Sequence, residues 1–128
     1  MAEVLSVRDK VVRSAGDLEV FKRAYQWSLY LHKLSLTFPA IEQRALANQL
    51  RRSSKSVCAN IVEGFARQSQ SKPEFKRYLT VAIGSAEETQ LWVMFARDLD
   101  YITVSLFEKI TKESQAIIGM LVKFRGKI

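Results

Sequence analysis

The sequence predicts an all-α protein, an antiparallel up-and-down four-helix bundle. Apolar residues recur at three- and four-residue steps in four separate segments. Strand-like alternation is absent over any useful length, and the only two prolines, Pro39 and Pro73, stand where helices can begin. With 128 residues, 48% of them hydrophobic and 26% charged, the chain fits one domain with one sizeable core and needs neither disulfide nor metal as a staple.

Residues 1–16 read as a flexible N-terminal arm and residues 17–128 as the bundle. The first helix is expected from Asp17 or Leu18 to about Leu36, with Asp17 as its cap. Leu18, Phe21, Ala24, Tyr25, Ser28 and Leu31 form its inner face, widened by Val20, Trp27 and Leu34, and Lys22, Arg23, Gln26 and Lys33 lie opposite. The second helix is expected from Pro39 to Glu63 or Gly64, with a stripe of Leu46, Leu50, Ser54, Val57 and Ile61. Gly64 can take the left-handed conformation that ends a helix. The third opens with a capping box, Ser71-Lys72-Pro73-Glu74, in which Ser71 accepts from the amide three residues on and Glu74 reaches back. Its stripe is Phe75, Leu79, Ala82, Ile83, Ala86, Gln90 and Val93, ending near Leu99. The fourth starts at Thr103, or at Ser105 with Glu108 as a second box. It carries Phe107, Ile110, Ser114, Ile117, Leu121 and Phe124 at the spacing of a bundle seam.

The single cysteine, Cys58, allows no intrachain disulfide and reads as a small core residue. No run of apolar residues suits a signal peptide or a membrane span, so a cytoplasmic protein with no membrane partner is expected. The net charge of +7 is unevenly placed. Residues 44–77 hold eight basic side chains against two acidic ones, whereas residues 78–113 hold three against six. Lys123, Arg125 and Lys127 follow near the end.

Two surfaces stand out. The third helix is apolar on a second side, through Val81, Leu91, Trp92 and Phe95, and has Gly84 at mid-length, where glycine costs about 1 kcal/mol relative to alanine. Either this helix is wrapped by its neighbours, or the face meets another copy of the chain in a closed assembly. Arg44, Arg51 and Lys55 share one side of the second helix with Arg52 beside them, and Arg67, Lys72, Lys76 and Arg77 follow. Clustered cations of this kind suit phosphate. Aromatic residues for stacking on bases are not interleaved with them, which favours backbone contact over single-strand reading. Gln49, Arg52, Ser56, Asn60 and Glu63 form a polar line that can cross-link helices or line a groove, with Glu63 a partner for Arg67 or Arg52.

The runs Phe38-Pro39-Ala40-Ile41-Glu42, Gln49-Leu50-Arg51-Arg52-Ser53-Ser54 and Ala59-Asn60-Ile61-Val62-Glu63-Gly64-Phe65-Ala66-Arg67 resemble the four-helix bundle proteins related to those encoded in intervening sequences of 23S ribosomal RNA genes. So do Glu74-Phe75-Lys76-Arg77-Tyr78-Leu79 and Ala82-Ile83-Gly84-Ser85-Ala86-Glu87-Glu88. The resemblance covers about Leu18 to Phe124. It implies a short bundle and a homo-oligomer, a ring-shaped pentamer among relatives, with no established catalytic residues. It also implies that Arg51, Arg52, Asn60, Glu63, Arg67 and Arg77 are the matched positions able to bear function. A more distant similarity is to accessory proteins of diversity-generating retroelements, basic rings that bind a reverse transcriptase and nucleic acid. The N-terminal extension departs from the family pattern, which leaves Arg8, Lys10 and Arg13 without an implied role.

No enzyme, metal site or cofactor is expected. His32 is the only histidine and has no ligand partner at i+3 or i+4; Glu87 and Glu88 diverge on a helix; Asp98 and Asp100 flank a helix end. The sequence therefore points to an oligomeric basic bundle binding RNA or DNA through Arg44, Arg51, Arg52, Lys55, Arg67, Lys72, Lys76 and Arg77. The alternative is a homo-oligomeric scaffold for an unidentified protein, assembled through Val81, Gly84, Leu91, Trp92 and Phe95.

Overall fold

In a computed structural model, which describes residues 5–7, 10–12 and 15–128, the periodic segments become α1 (Glu19–Ser35), α2 (Leu46–Ala66), α3 (Lys72–Asp98) and α4 (Val104–Lys127). Consecutive helices pack side by side, α2 against α3 most extensively, and the α1–α4 seam that closes the bundle is the thinnest. Ahead of α1, β1 (Leu5–Val7) pairs antiparallel with β2 (Lys10–Val12) where the sequence suggests only an arm. Arg8 and Arg13 lie outside the described residues. A 3-10 turn over Ala15–Asp17 buries Ala15 in the core, so the packed body reaches into the expected arm.

Leu31, Leu50, Val57, Ile61, Leu79, Val93, Ile117 and Leu121 are fully buried at the centre. The inner face of α1 is rotated from the expected one. Val20, Ala24, Trp27 and Leu31 point inward while Tyr25 stays 47% exposed, because the Trp27 indole fills the α1–α4 seam and donates to Ser114 Oγ at 3.2 Å. In α3, Thr89 is buried where Gln90 was expected, and its Oγ1 lies 2.8 Å from both Ser53 Oγ and Ser85 O. Ser28 and Ser54 bond across α1–α2 at 3.2 Å, and Ser56 and Ser85 across α2–α3 at 2.8 Å. Buried hydroxyls thus pair with one another, as the cost of desolvating an unpaired polar group requires. Ser56 also accepts from Asn60 through its carbonyl at 2.8 Å and its hydroxyl at 3.1 Å, so this part of the polar line is structural.

Four helix ends differ from expectation. Leu18, not Asp17, stands at the cap position of α1, which has no side-chain cap hydrogen bond because Asp17 lies in the preceding 3-10 turn. The α1–α2 link is not helical from Pro39; a 3-10 turn covers Ala40–Glu42, and α2 starts at Leu46. Side chains replace the missing backbone bonds there. Gln43 Nε2 donates to the Ser35 and Phe38 carbonyls at 2.9 and 3.0 Å, and Glu42 Oε1 accepts from the Leu46 amide at 3.2 Å. Gly64 does not end α2, since no described glycine has positive φ and the helix runs on to Ala66. At the start of α3, Ser71 Oγ accepts from the Glu74 amide as expected, but the Glu74 carboxylate turns to Arg77, so only half of the capping box forms.

The other end of α3 is closed by Asp100 at φ 63°, a left-handed position that aspartate tolerates. The Tyr101 amide bonds back to Ala96 O at 2.8 Å and the Asp100 amide to Arg97 O at 3.0 Å, a Schellman closure. The turn aims the Tyr101 hydroxyl at Glu42 Oε2, 2.8 Å away, which pins the two links at that end of the bundle together. Thr103, not Ser105, caps α4, accepting from the Leu106 amide.

Candidate nucleic-acid interface

Antiparallel packing sends the end of α2, the start of α3 and the end of α4 to one pole. The Phe75 and Phe124 rings meet there edge to face at 5.5 Å, and Arg125 Nη1 donates to Thr80 Oγ1 at 3.0 Å. Arg67, Lys72, Lys76 and Arg77 are thereby joined by Lys123, Arg125 and Lys127, with Glu63 and Glu74 the acidic residues among them and Glu19 at the start of α1. The sequence supplied these last three cations in its charge count but gave no reason to place them beside Arg67. Only the up-and-down topology does so.

Two of the guanidinium groups are held in place. Arg67 and Arg77 each lie 4.8 Å from the centroid of the Tyr78 ring. Arg67 Nη1 also caps α2 by donating to Glu63 O at 3.0 Å, so its contact is with the Glu63 carbonyl rather than the carboxylate expected as its partner. Arg77 donates to Glu74 Oε1 at 3.0 Å, and this hydrogen bond raises the Arg77 pKa and lowers that of Glu74. Lys72, Lys76, Lys123 and Lys127 are exposed, and their ammonium groups make no hydrogen bond or ion pair among the described residues.

The remaining expected cations are not part of this pole. Arg44 stands in the turn before α2, at the opposite end of the bundle, so the helical line of Arg44, Arg51 and Lys55 does not exist. Arg51 faces inward: Nη1 donates to Ser35 Oγ at 2.8 Å and Gln43 Oε1 at 3.2 Å, and Nη2 to Gln43 O at 2.7 Å. It braces the α1–α2 link. Arg52 is exposed on the flank of α2, and Lys55 Nζ lies 2.9 Å from His32 Nδ1.

That contact needs the Nδ1 lone pair, which places the imidazole proton on Nε2. Burial, then the charges of Lys55 and Arg51, lower the His32 pKa. Cys58 is half-buried against the core, and burial pushes its thiol up to about 11, far from the thiolate a nucleophile needs. Among the described residues, no group of three or more His, Cys, Asp or Glu side chains could hold a metal ion, and no helix is long and apolar enough to cross a membrane.

On α3, Val81, Leu91 and Phe95 are 42%, 43% and 47% exposed, and an added Cβ on Gly84 would meet nothing within 4 Å. Met94 joins them, unforeseen because it flanks rather than continues the spacing. Trp92 belongs only partly to this face: it is half-buried against the core, lies tilted beside Phe95 with ring centroids 5.8 Å apart and donates from Nε1 to Glu88.

The chain is thus a four-helix bundle with one basic pole and an apolar face on α3 that is exposed in the single chain. The chain belongs to the 23S rRNA-intervening sequence protein family, whose pattern matches residues 16–123. It is similar to the crystal structure of a protein with unknown function from the S23 ribosomal protein family of Bacteroides thetaiotaomicron VPI-5482. The two share 28% identity over 83% of this chain and 97% of that one, with a TM-score of 0.73. No curated protein matches the chain.

Proposed function

We propose that the protein is a non-enzymatic, cytoplasmic, homo-oligomeric bundle that binds RNA or other nucleic acid through phosphate contacts at its basic pole. The observation that carries the reading is the convergence of Arg67, Lys72, Lys76, Arg77, Lys123, Arg125 and Lys127 on one end. Neutralised phosphates release counterions, so affinity falls linearly on a log–log plot against salt. Fluorescence anisotropy with labelled RNA and DNA across a salt series tests this. Replacing Lys72, Lys76 and Lys127 with Gln reduces the slope for a single strand by about 2, at about 0.7 per lost contact. Absence of salt-dependent affinity for either polymer rejects the reading.

A second reading, a self-assembled scaffold, is favoured by the exposed apolar face of α3 around Gly84. Its occupant is a second copy of the chain. Glu87 and Glu88 flank the apolar face, and the α1–α4 seam offers a complementary groove of about 680 Å³, lined by Trp27, Tyr30 and Ile110 and rimmed by Lys22 and Lys109. Two unlike surfaces in contact make a head-to-tail interface, which closes into a ring when the rotation between copies divides a full turn and otherwise extends as a filament. Leu91→Glu tests the contact: an unchanged native mass rejects it.

A further inference from the structure

We infer that a hollow in the basic pole holds one unstacked base of a single-stranded nucleic acid, so that the pole engages single strands in preference to duplex. This rests on the phosphate-binding reading above and narrows its ligand. Phe65 and Phe75 are buried and Phe124 half-buried, in two successive edge-to-face contacts with centroids 6.3 and 5.5 Å apart. They line a hollow of about 240 Å³ together with Gln68, Lys72 and Lys127. That volume is below the roughly 300–1,000 Å³ of drug-sized sites, which suits a single flat ring rather than an extended ligand.

The chemistry of the lining is divided as a nucleotide is divided. Aromatic carbon at the bottom takes a planar, weakly solvated body. The Gln68 side-chain amide, with no hydrogen bond among the described residues, offers two donors and an acceptor to a base edge. The Lys72 and Lys127 ammonium groups, exposed at the mouth, match the flanking phosphates. An acidic peptide would satisfy the lysines and leave the aromatic floor empty. Duplex would satisfy them too, but its bases are already stacked within the helix and cannot enter. Phe65 lies two residues before Arg67, Phe75 directly before Lys76, and Phe124 between Lys123 and Arg125. Helical spacing turns each ring toward the core and gives no sign that the three line one hollow, which only the meeting of the helix ends produces.

The test uses the full chain and anisotropy with three short probes of equal charge per strand: single-stranded RNA, the same strand as a blunt duplex, and an abasic ribose–phosphate oligomer. The single strand should bind about ten-fold tighter than the other two, the effect of one stacked base. Phe124→Leu, which keeps apolar volume but removes the ring, should bring the three probes within about two-fold of one another. Gln68→Ala, at a half-exposed edge that the core does not need, should reduce the preference without altering the salt slope. Equal binding of the abasic and natural strands by the wild-type protein overturns the inference, as does a preference untouched by both substitutions. Salt-dependent binding to all three probes alike sinks the base pocket alone. No binding to any of them sinks the phosphate-binding reading as well.

Discussion

The Cβ of Tyr78 occupies the space that a side chain on Gly64 would need: an added Cβ would sit 2.9 Å from it and 3.0 Å from Phe75 Cδ1. This glycine is therefore present for the close approach of α2 to α3, not for a turn, and the approach sets Tyr78 between Arg67 and Arg77. Gly64→Ala gains about 1 kcal/mol of helix propensity but forces overpacking against buried neighbours that costs about 1–3 kcal/mol. The expected outcome is a lower denaturant midpoint with an unchanged m-value. A raised midpoint would show that α3 can move away freely.

Arg51 is the residue whose role the structure changes most. Its three hydrogen bonds tie the end of α1 to the link that follows. Arg51→Met keeps the apolar stem but leaves Ser35 and Gln43 short of partners, which should cost about 1–3 kcal/mol in stability. The salt slope of nucleic-acid binding should not change. A slope reduced by as much as that of a pole lysine would return Arg51 to the binding surface.

Helix number, order and seams are legible in the sequence because burial imposes a three-to-four period on every packed helix, and Leu50, Val57, Leu79 and Leu121 all obey it. Legibility stops where side chains do the work of backbone. Gln43, Glu42 and Arg51 convert the segment after Pro39 from helix to a braced turn through contacts that no periodicity encodes. The placement of the basic residues is only half readable. Charge counting groups Arg44 to Arg77 as one run, but it does not show that Arg67, Lys72, Lys76 and Arg77 share a pole, that Arg44 stands at the other end, or that Arg51 bonds Ser35 and Gln43. Tyr78 as a platform for two guanidinium groups, and the meeting of Phe124 with Phe75, require knowing which helix ends are neighbours.

His32 gives the molecule an acid-sensitive contact. Its folded pKa lies below the ordinary 6.5 because burial, Lys55 and Arg51 all disfavour the imidazolium. As pH falls through about 6.5 the unfolded chain takes up a proton that the folded chain refuses, so stability declines until the folded pKa is reached. Above 6.5 the contribution is flat. Proton NMR titration of the His32 ring should give a midpoint below 6.5, and Lys55→Met should move it upward. A midpoint at or above the ordinary value would mean that Lys55 does not sit against Nδ1.

A substitution at Gly84 tests folding and the proposed assembly separately. No atom of the chain lies within 4 Å of the Cβ it lacks, so within one copy alanine fits without strain. Gly84→Ala should then stabilise the isolated bundle by about 1 kcal/mol through helix propensity. If the α3 face seats against a second copy, the added methyl stands in the interface between Leu91, Phe95 and Val81, and the same substitution should weaken association. Native mass spectrometry at several concentrations, alongside thermal melting of the dissociated chain, reads both effects. A more stable fold with a smaller assembly is the expected pair. A more stable fold with unchanged mass would place the contact between copies elsewhere on the bundle.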